Sequence, residues 1–365
     1  MEIASGRLDR AFFAHQKEYE DAALEVLRSG WYVMGEALKK FESSYAAYIG
    51  ARACVGLGNG LDALTIAFRA LGVGKGDEVI VQSNAFIACV MGVTINGATP
   101  VFVEPNEYYM LDPARIEEKL TAKTKAILVV HLYGHPADMD AVCAIAKKHG
   151  LLLVEDCAQS HGAAWNGQTT GSFGDAGCFS FYPSKNLGCF GDGGCAVVND
   201  PNVEQNMRTL RNYGSQKRYY NEVVGTNSRL DEIQAALLSV RLGHMDEITA
   251  ERRRLAKNYL DGIANPRLRL PMVAEKANPV WHQFVIRSEQ RDALKAELED
   301  RGVHTIIHYP IPPHMSQAYA YLGFHKGDFP IAERMAEEVL SLPLYGGMTE
   351  EEQGYVVDAL NGFGG

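Results

Sequence analysis

Short apolar runs alternate with helical patterns along the first half of the chain, and this alternation constrains the fold more than any other feature. Val79-Ile80-Val81, Val101-Phe102-Val103, residues 126–130 and residues 151–154 each read as a strand buried on both faces, because no polar residue interrupts the apolar ones. Helices separate them. Residues 138–149 read as one helix, with Asp138 as its cap and Gly150 as its stop, and Tyr19, Ala23, Val26 and Leu27 share an earlier helical face that ends at Gly30. Parallel strands need crossover connections and helices supply them, so the expected class is α/β with a mainly parallel sheet.

Near residue 240 the rhythm changes. Residues 231–247 place Ile233, Ala236, Leu237 and Val240 on one face, which predicts a long helix. Beyond it, 281–287 reads as a strand and 289–301 as a helix stopped by Gly302. A chain of 365 residues exceeds the roughly 250–300 at which single cores stop growing. The expected division is a large domain over 1–240 and a smaller α+β domain over 241–365.

The formal net charge of -10 argues against nucleic acid as the natural partner, since binding a phosphate backbone needs a basic face. A local basic pocket is still compatible with it, and Lys217 and Arg229 are the candidates, whereas Arg218 reads as a solvated side chain. No run approaches the ~20 apolar residues of a membrane span, and the first residues lack a signal peptide's apolar core. A cytoplasmic location is expected. The seven cysteines form no close Cys-x-x-Cys pair, which indicates neither a disulfide scaffold nor a metal site.

Residues 151–154 lead into Glu155-Asp156, which puts Asp156 at the carboxyl end of a buried strand, where open α/β sheets place ligands. Lys185 follows, inside Ser180-Phe181-Tyr182-Pro183-Ser184-Lys185-Asn186-Leu187-Gly188. One amine and one carboxylate are what pyridoxal phosphate requires: a lysine to hold it as a Schiff base and an acid to keep its ring nitrogen protonated. Gly58-Asn59-Gly60-Leu61-Asp62 joins a strand at 53–56 to a helix bearing Leu61, Leu64 and Phe68, and such a turn exposes backbone N–H groups toward an anion. Neither a Walker spacing nor Gly-x-Gly-x-x-Gly occurs there, which disfavours ATP or a nicotinamide cofactor.

The motifs Asp156-Cys157-Ala158-Gln159-Ser160-His161-Gly162, Gly171-Ser172-Phe173-Gly174-Asp175, the Lys185 stretch, Gly191-Asp192-Gly193-Gly194 and Asn227-Ser228-Arg229-Leu230-Asp231-Glu232 are similar to the sugar aminotransferase family named after DegT and StrS. The resemblance covers nearly the whole chain. It implies the aspartate aminotransferase-like fold, PLP fold type I. Lys185 would bind the cofactor covalently, Asp156 would pair with its ring nitrogen, Gln159 would lie near its hydroxyl and Ser180 would reach its phosphate. The backbone of Gly60 and Leu61 would meet the same phosphate, although many relatives have Thr where Leu61 stands. Phe86 would stack on the ring. By the same likeness Asn227 reaches the cofactor of a neighbouring subunit, so a homodimer with shared sites is implied. Tyr309 and His314, in and after His308-Tyr309-Pro310, resemble the loop that approaches the sugar.

Relatives that remove a sugar hydroxyl carry His at the Lys185 position, so Lys185 points to transamination. Glutamate is the family's usual donor, with Lys185 moving the proton and Asp156 holding charge on the ring. Residues 130–140, with Gly60-Leu61-Asp62 and Ser83-Asn84, look most like enzymes acting on a dTDP-3-keto-6-deoxyhexose. A 4-keto sugar acceptor, a PLP-binding regulator without turnover and, more distantly, a PLP lyase remain as alternatives.

Overall fold

Seven runs hydrogen-bond into one sheet in the computed structural model, which describes residues 1–364. In chain order they are β1 (Ala53–Leu57), β2 (Glu78–Gln82), β3 (Thr99–Val103), β4 (Thr124–Val130), β5 (Leu152–Asp156), β6 (Ala176–Ser180) and β7 (Gly194–Val198). Their order across the sheet is β1-β7-β6-β5-β4-β2-β3. The pairs β2·β3, β2·β4, β4·β5 and β5·β6 are parallel, while β7 runs antiparallel to both of its neighbours. The central strands are the expected apolar runs, and residues such as Val79, Ile80, Ile127, Leu128 and Val154 are fully buried. An α/β architecture with a mainly parallel sheet therefore holds.

The helices begin and end where their caps predict. Met139–His149 begins at Asp138, whose side chain accepts from Ala141 N at 3.1 Å, and ends at Gly150 with φ 64°. Gln16–Ser29 ends at Gly30. The single helix expected over 231–247 is a correction: the chain forms Glu232–Gly243 and Met245–Gly262 with a break at His244, which has φ -107° and ψ 10°. Gly243 is a poor helix former, and the His244 ring stacks on His15 at 3.6 Å, so a tertiary contact rewards the break. The strand expected over 281–287 starts only at Phe284, because Trp281 has φ 49° and leaves the extended region. Phe284–Arg287 pairs antiparallel with Val339–Leu342.

A second apolar cluster gathers Leu255, Tyr259, Phe284, Leu298, Val356 and Phe363, and Ile3 from the opposite end of the chain completes it. Tyr319, Phe329, Met335 and Val339 pack instead with the main-sheet core. Beyond the carboxyl ends of β4 and β5, Tyr133 and Gln159 meet the last third of the chain, the Tyr133 hydroxyl donating to His308 O and Gln159 Nε2 to the Tyr309 hydroxyl. Among the described residues, no helix is long and apolar enough to cross a membrane.

Candidate active site

Strand alternation decides which way β6 presents its last residues. Phe179 and Phe181 point into an aromatic cluster with Phe41 and Tyr45, at centroid distances between 5.2 and 5.5 Å, so Ser180 between them faces the other side. There it meets Gly60. A Cβ at Gly60 would lie 2.6 Å from the Cβ of Ser180, a space only glycine leaves open. Gly60 and Leu61 begin an 11-residue helix whose cap, Asn59, accepts from Asp62 N at 2.8 Å. The amides of Gly60 and Leu61, in the first turn of the helix, have no intrahelical acceptor, as helix N-termini leave such donors for an anion. Ser228 Oγ accepts from Gly58 N at 3.0 Å and donates to Asp62 at 2.6 Å, which fixes the turn from its other side.

The same alternation on β5 separates two acids. Glu155 turns into the interior and accepts from His131 Nε2 at 3.0 Å and from the backbone amides of Gly171, Phe173 and Gly174. Asp156 turns toward the site, where Oδ2 accepts from the Cys89 thiol at 2.9 Å and Oδ1 from Ala158 N at 3.0 Å. Cys89 lies in the first turn of Ile87–Thr94, directly after Phe86, so its spacing carries it over Asp156. It is a site residue that sequence reasoning missed, because a lone cysteine shows no signal until the helix start is known.

Lys185 sits in a loop held by Asn186, whose Nδ2 donates to Val280 O at 3.0 Å. Burial pulls the Lys185 pKa down to about 8, while the Asp156 charge and the Cys89 thiol pull the other way. Burial, helped by the Lys185 charge, lowers His161 to about 3 and His308 to about 4, so both are neutral at pH 7. Gln159 accepts from Tyr133 N and donates Nε2 to the Tyr309 hydroxyl at 3.0 Å. The Tyr309 ring lies 4.9 Å from that of Phe86, which is 44% exposed. Burial raises the Tyr309 hydroxyl well above its usual range.

Lys185, Asp156, Gln159, Phe86 and Tyr309 thus meet at one place, and Gly60, Leu61 and Ser180 form a donor-lined corner. Others do not join them within one chain. Lys217 is exposed on a two-stranded ribbon, its ammonium 4.6 Å from the Tyr220 ring centroid. Asn227 is exposed and bridges Asn212, and Arg229 donates to Asn212 Oδ1 at 3.0 Å. His314 is a correction: it is 1% exposed, its ring packs 4.7 Å from that of Phe329, and Nε2 lies 3.1 Å from Glu333. A side chain sealed in that way cannot touch a substrate.

A model of the DegT/DnrJ/EryC1/StrS aminotransferase family matches residues 14–361. The chain belongs to this family. It is 50% identical over 351 residues to the dTDP-3-amino-3,6-dideoxy-alpha-D-galactopyranose transaminase of Aneurinibacillus thermoaerophilus, covering 96% of each chain. The solved S. venezuelae DesV in complex with a ketimine intermediate superposes with TM-score 0.97 at 47% identity, covering 99% of this chain and 98% of that one. NtdA from Bacillus subtilis with bound cofactor PMP superposes with TM-score 0.88 at 31% identity, covering 95% of this chain and 81% of that one. The chain is accordingly an aminotransferase that uses pyridoxal phosphate. Its residues fit that group, since a partly buried lysine of lowered pKa, a buried carboxylate and a helix N-terminus that only glycine lets approach Ser180 answer its carbonyl, ring nitrogen and phosphate.

Proposed function

We propose that this aminotransferase moves an amino group from glutamate to C3 of a dTDP-linked 3-keto-6-deoxyhexose. The observation that carries the chemistry is Lys185 with a pKa of about 8 beside Asp156. The name of the half-identical relative supports the acceptor, being that of a dTDP-3-amino-dideoxyhexose transaminase.

Bound pyridoxal phosphate supplies a carbonyl for the amino group and a ring that accepts electrons. Gly60, Leu61 and Ser180 would hold its phosphate, Phe86 would pack against its ring, and Gln159 would lie near its hydroxyl. Asp156, whose two oxygens accept from Cys89 and Ala158, would face the ring nitrogen and offer it a carboxylate partner. Lys185 Nζ, with its pKa lowered to about 8, would take up and return a proton at neutral pH, which an ordinary lysine with pKa near ~10.4 does poorly.

The working unit of this proposal is a homodimer. Tyr219 and Val224, on and beside the ribbon that carries Lys217, are 82% and 80% exposed, an apolar surface that a second copy would cover. Asn227, Lys217 and Arg229 would then serve the partner's site. The division into 1–240 and 241–365 belongs to the same proposal, with the cofactor held chiefly by the first part. Multiple-turnover incubation with glutamate and the dTDP-3-keto sugar tests it. Stoichiometric 2-oxoglutarate is expected, and its absence would leave a PLP-binding protein without turnover.

A further inference from the structure

A cavity of about 290 Å³ borders the Lys185 loop, and it collects positive charge in a chain whose net charge is -10. Its wall includes Ser184, next to Lys185, and His308, next to Tyr309, together with Arg241, Arg252, His282 and Ser341. No carboxylate lines it among the described residues. Arg7 also reaches the wall, but Asp9 neutralises it through two bonds at 2.8 and 2.7 Å.

Neither of the two deeper arginines has such a partner. Arg252 is 8% exposed and spends Nη1 on the carbonyls of Trp281 and His282, at 2.8 and 3.2 Å. Arg241 donates Nε to Asn186 O at 2.9 Å and makes no ion pair among the described residues. Glu251, beside Arg252 in sequence, is drawn off to Gly347 N at 2.8 Å. Burial and the Arg241 charge together pull Arg252 down to about 10. Two guanidiniums facing one cavity without an anion are costly unless a ligand brings one. His282 and His308 bond through Nδ1 to Asn186 and Ser341, at 3.3 and 2.8 Å, which leaves each Nε2 for a ligand.

We propose that Arg241, backed by Arg252, receives the distal carboxylate of the dicarboxylic amino donor and so sets donor specificity. This inference rests on the aminotransferase reading above. A guanidinium fork matches a carboxylate, and the cavity adjoins the Lys185 loop at Pro183 and Ser184, with the Lys185 charge acting on His282 and His308 of its wall, and does not include the Gly60–Ser180 corner proposed for phosphate.

The test compares wild-type, Arg241→Gln and Arg241→Lys holoenzymes, each first checked for cofactor absorbance and thermal melting. Glutarate binding by calorimetry should weaken about 10- to 100-fold in Arg241→Gln, as loss of a charge-assisted hydrogen bond predicts, and recover largely in Arg241→Lys. Single-turnover conversion of glutamate should show the same loss of affinity, while alanine conversion changes by less than about twofold. Glutarate binding that is absent or indifferent to Arg241, or an equal loss with alanine, overturns the proposal. A loss confined to the keto-sugar half-reaction also overturns it and gives the cavity to the nucleotide diphosphate. A holoenzyme that converts no amino acid yet binds glutarate through Arg241 overturns the aminotransferase reading instead.

Discussion

Gly60 and Ser180 meet with no room between them: an added Cβ at position 60 would stand 2.6 Å from the Ser180 Cβ and 3.1 Å from its Cα. This contact joins the start of the Gly60–Ala70 helix to the end of β6 and forms the corner proposed for the cofactor phosphate. Gly60→Ala must push that corner open, with overpacking strain of about 1–3 kcal/mol. Cofactor affinity, titrated into the apoprotein, should fall about 10-fold or more with the fold retained. Unchanged affinity would remove the phosphate from this corner.

Lys185 gives a pH prediction with a definite sign. Its pKa of about 8 means that the neutral amine grows in as pH rises through 8, so covalent capture of pyridoxal by the apoprotein should have its midpoint there. The Asp156 charge favours the ammonium, so Asp156→Asn should move the midpoint lower. Borohydride reduction followed by peptide mapping should find the cofactor on Lys185, and label on another lysine would contradict the assignment. In holoenzyme, Asp156→Asn should slow single-turnover conversion of glutamate far more than it weakens cofactor binding.

The shared site is tested by mixing subunits. Lys185→Ala and an Asn227→Ala chain, each inactive alone, should regain partial activity as a heterodimer, because one of its two sites keeps both residues. A verified heterodimer that stays inactive counts against sharing.

Glu155 is a stability residue beside a functional one. It and His131 are both fully buried, and its oxygens also accept three backbone amides of the 171–174 turn. Glu155→Gln turns an amide group toward those donors and should cost about 2–4 kcal/mol in urea unfolding. A loss under about 1 kcal/mol would mean that the turn is held otherwise.

Much of this was readable from the chain because periodicity reports burial. The runs at β2, β3, β4 and β5 are apolar on both faces, and Asp138 and Gly150 bracket their helix without any tertiary help. β6 and β7 escaped that reading, since Ala176-Gly177-Cys178 and Gly194-Cys195-Ala196 are short and small. Their glycines answer to packing: a Cβ at Gly177 would lie 2.5 Å from Gly171, and one at Gly194 would lie 2.4 Å from Asn59. Lys185, Asp156 and Gln159 were accessible through motif, whereas the Cys89 contact and the Arg241 cavity join residues far apart in sequence. His314 misled for the opposite reason. Its neighbourhood in sequence resembles a substrate loop, but Phe102, Phe329 and Glu333 enclose it in space.

The central claim is regiochemical, and one product analysis decides it. The enzyme is incubated with glutamate and with matched dTDP-linked 3-keto and 4-keto 6-deoxyhexoses, and NMR locates the new amine. Moving the ketone to C4 displaces the reacting carbon by about a bond length or more, enough to cost a large factor in rate when geometry is fixed. The account predicts a 3-amino sugar as the preferred product. A preferred 4-amino sugar would contradict it.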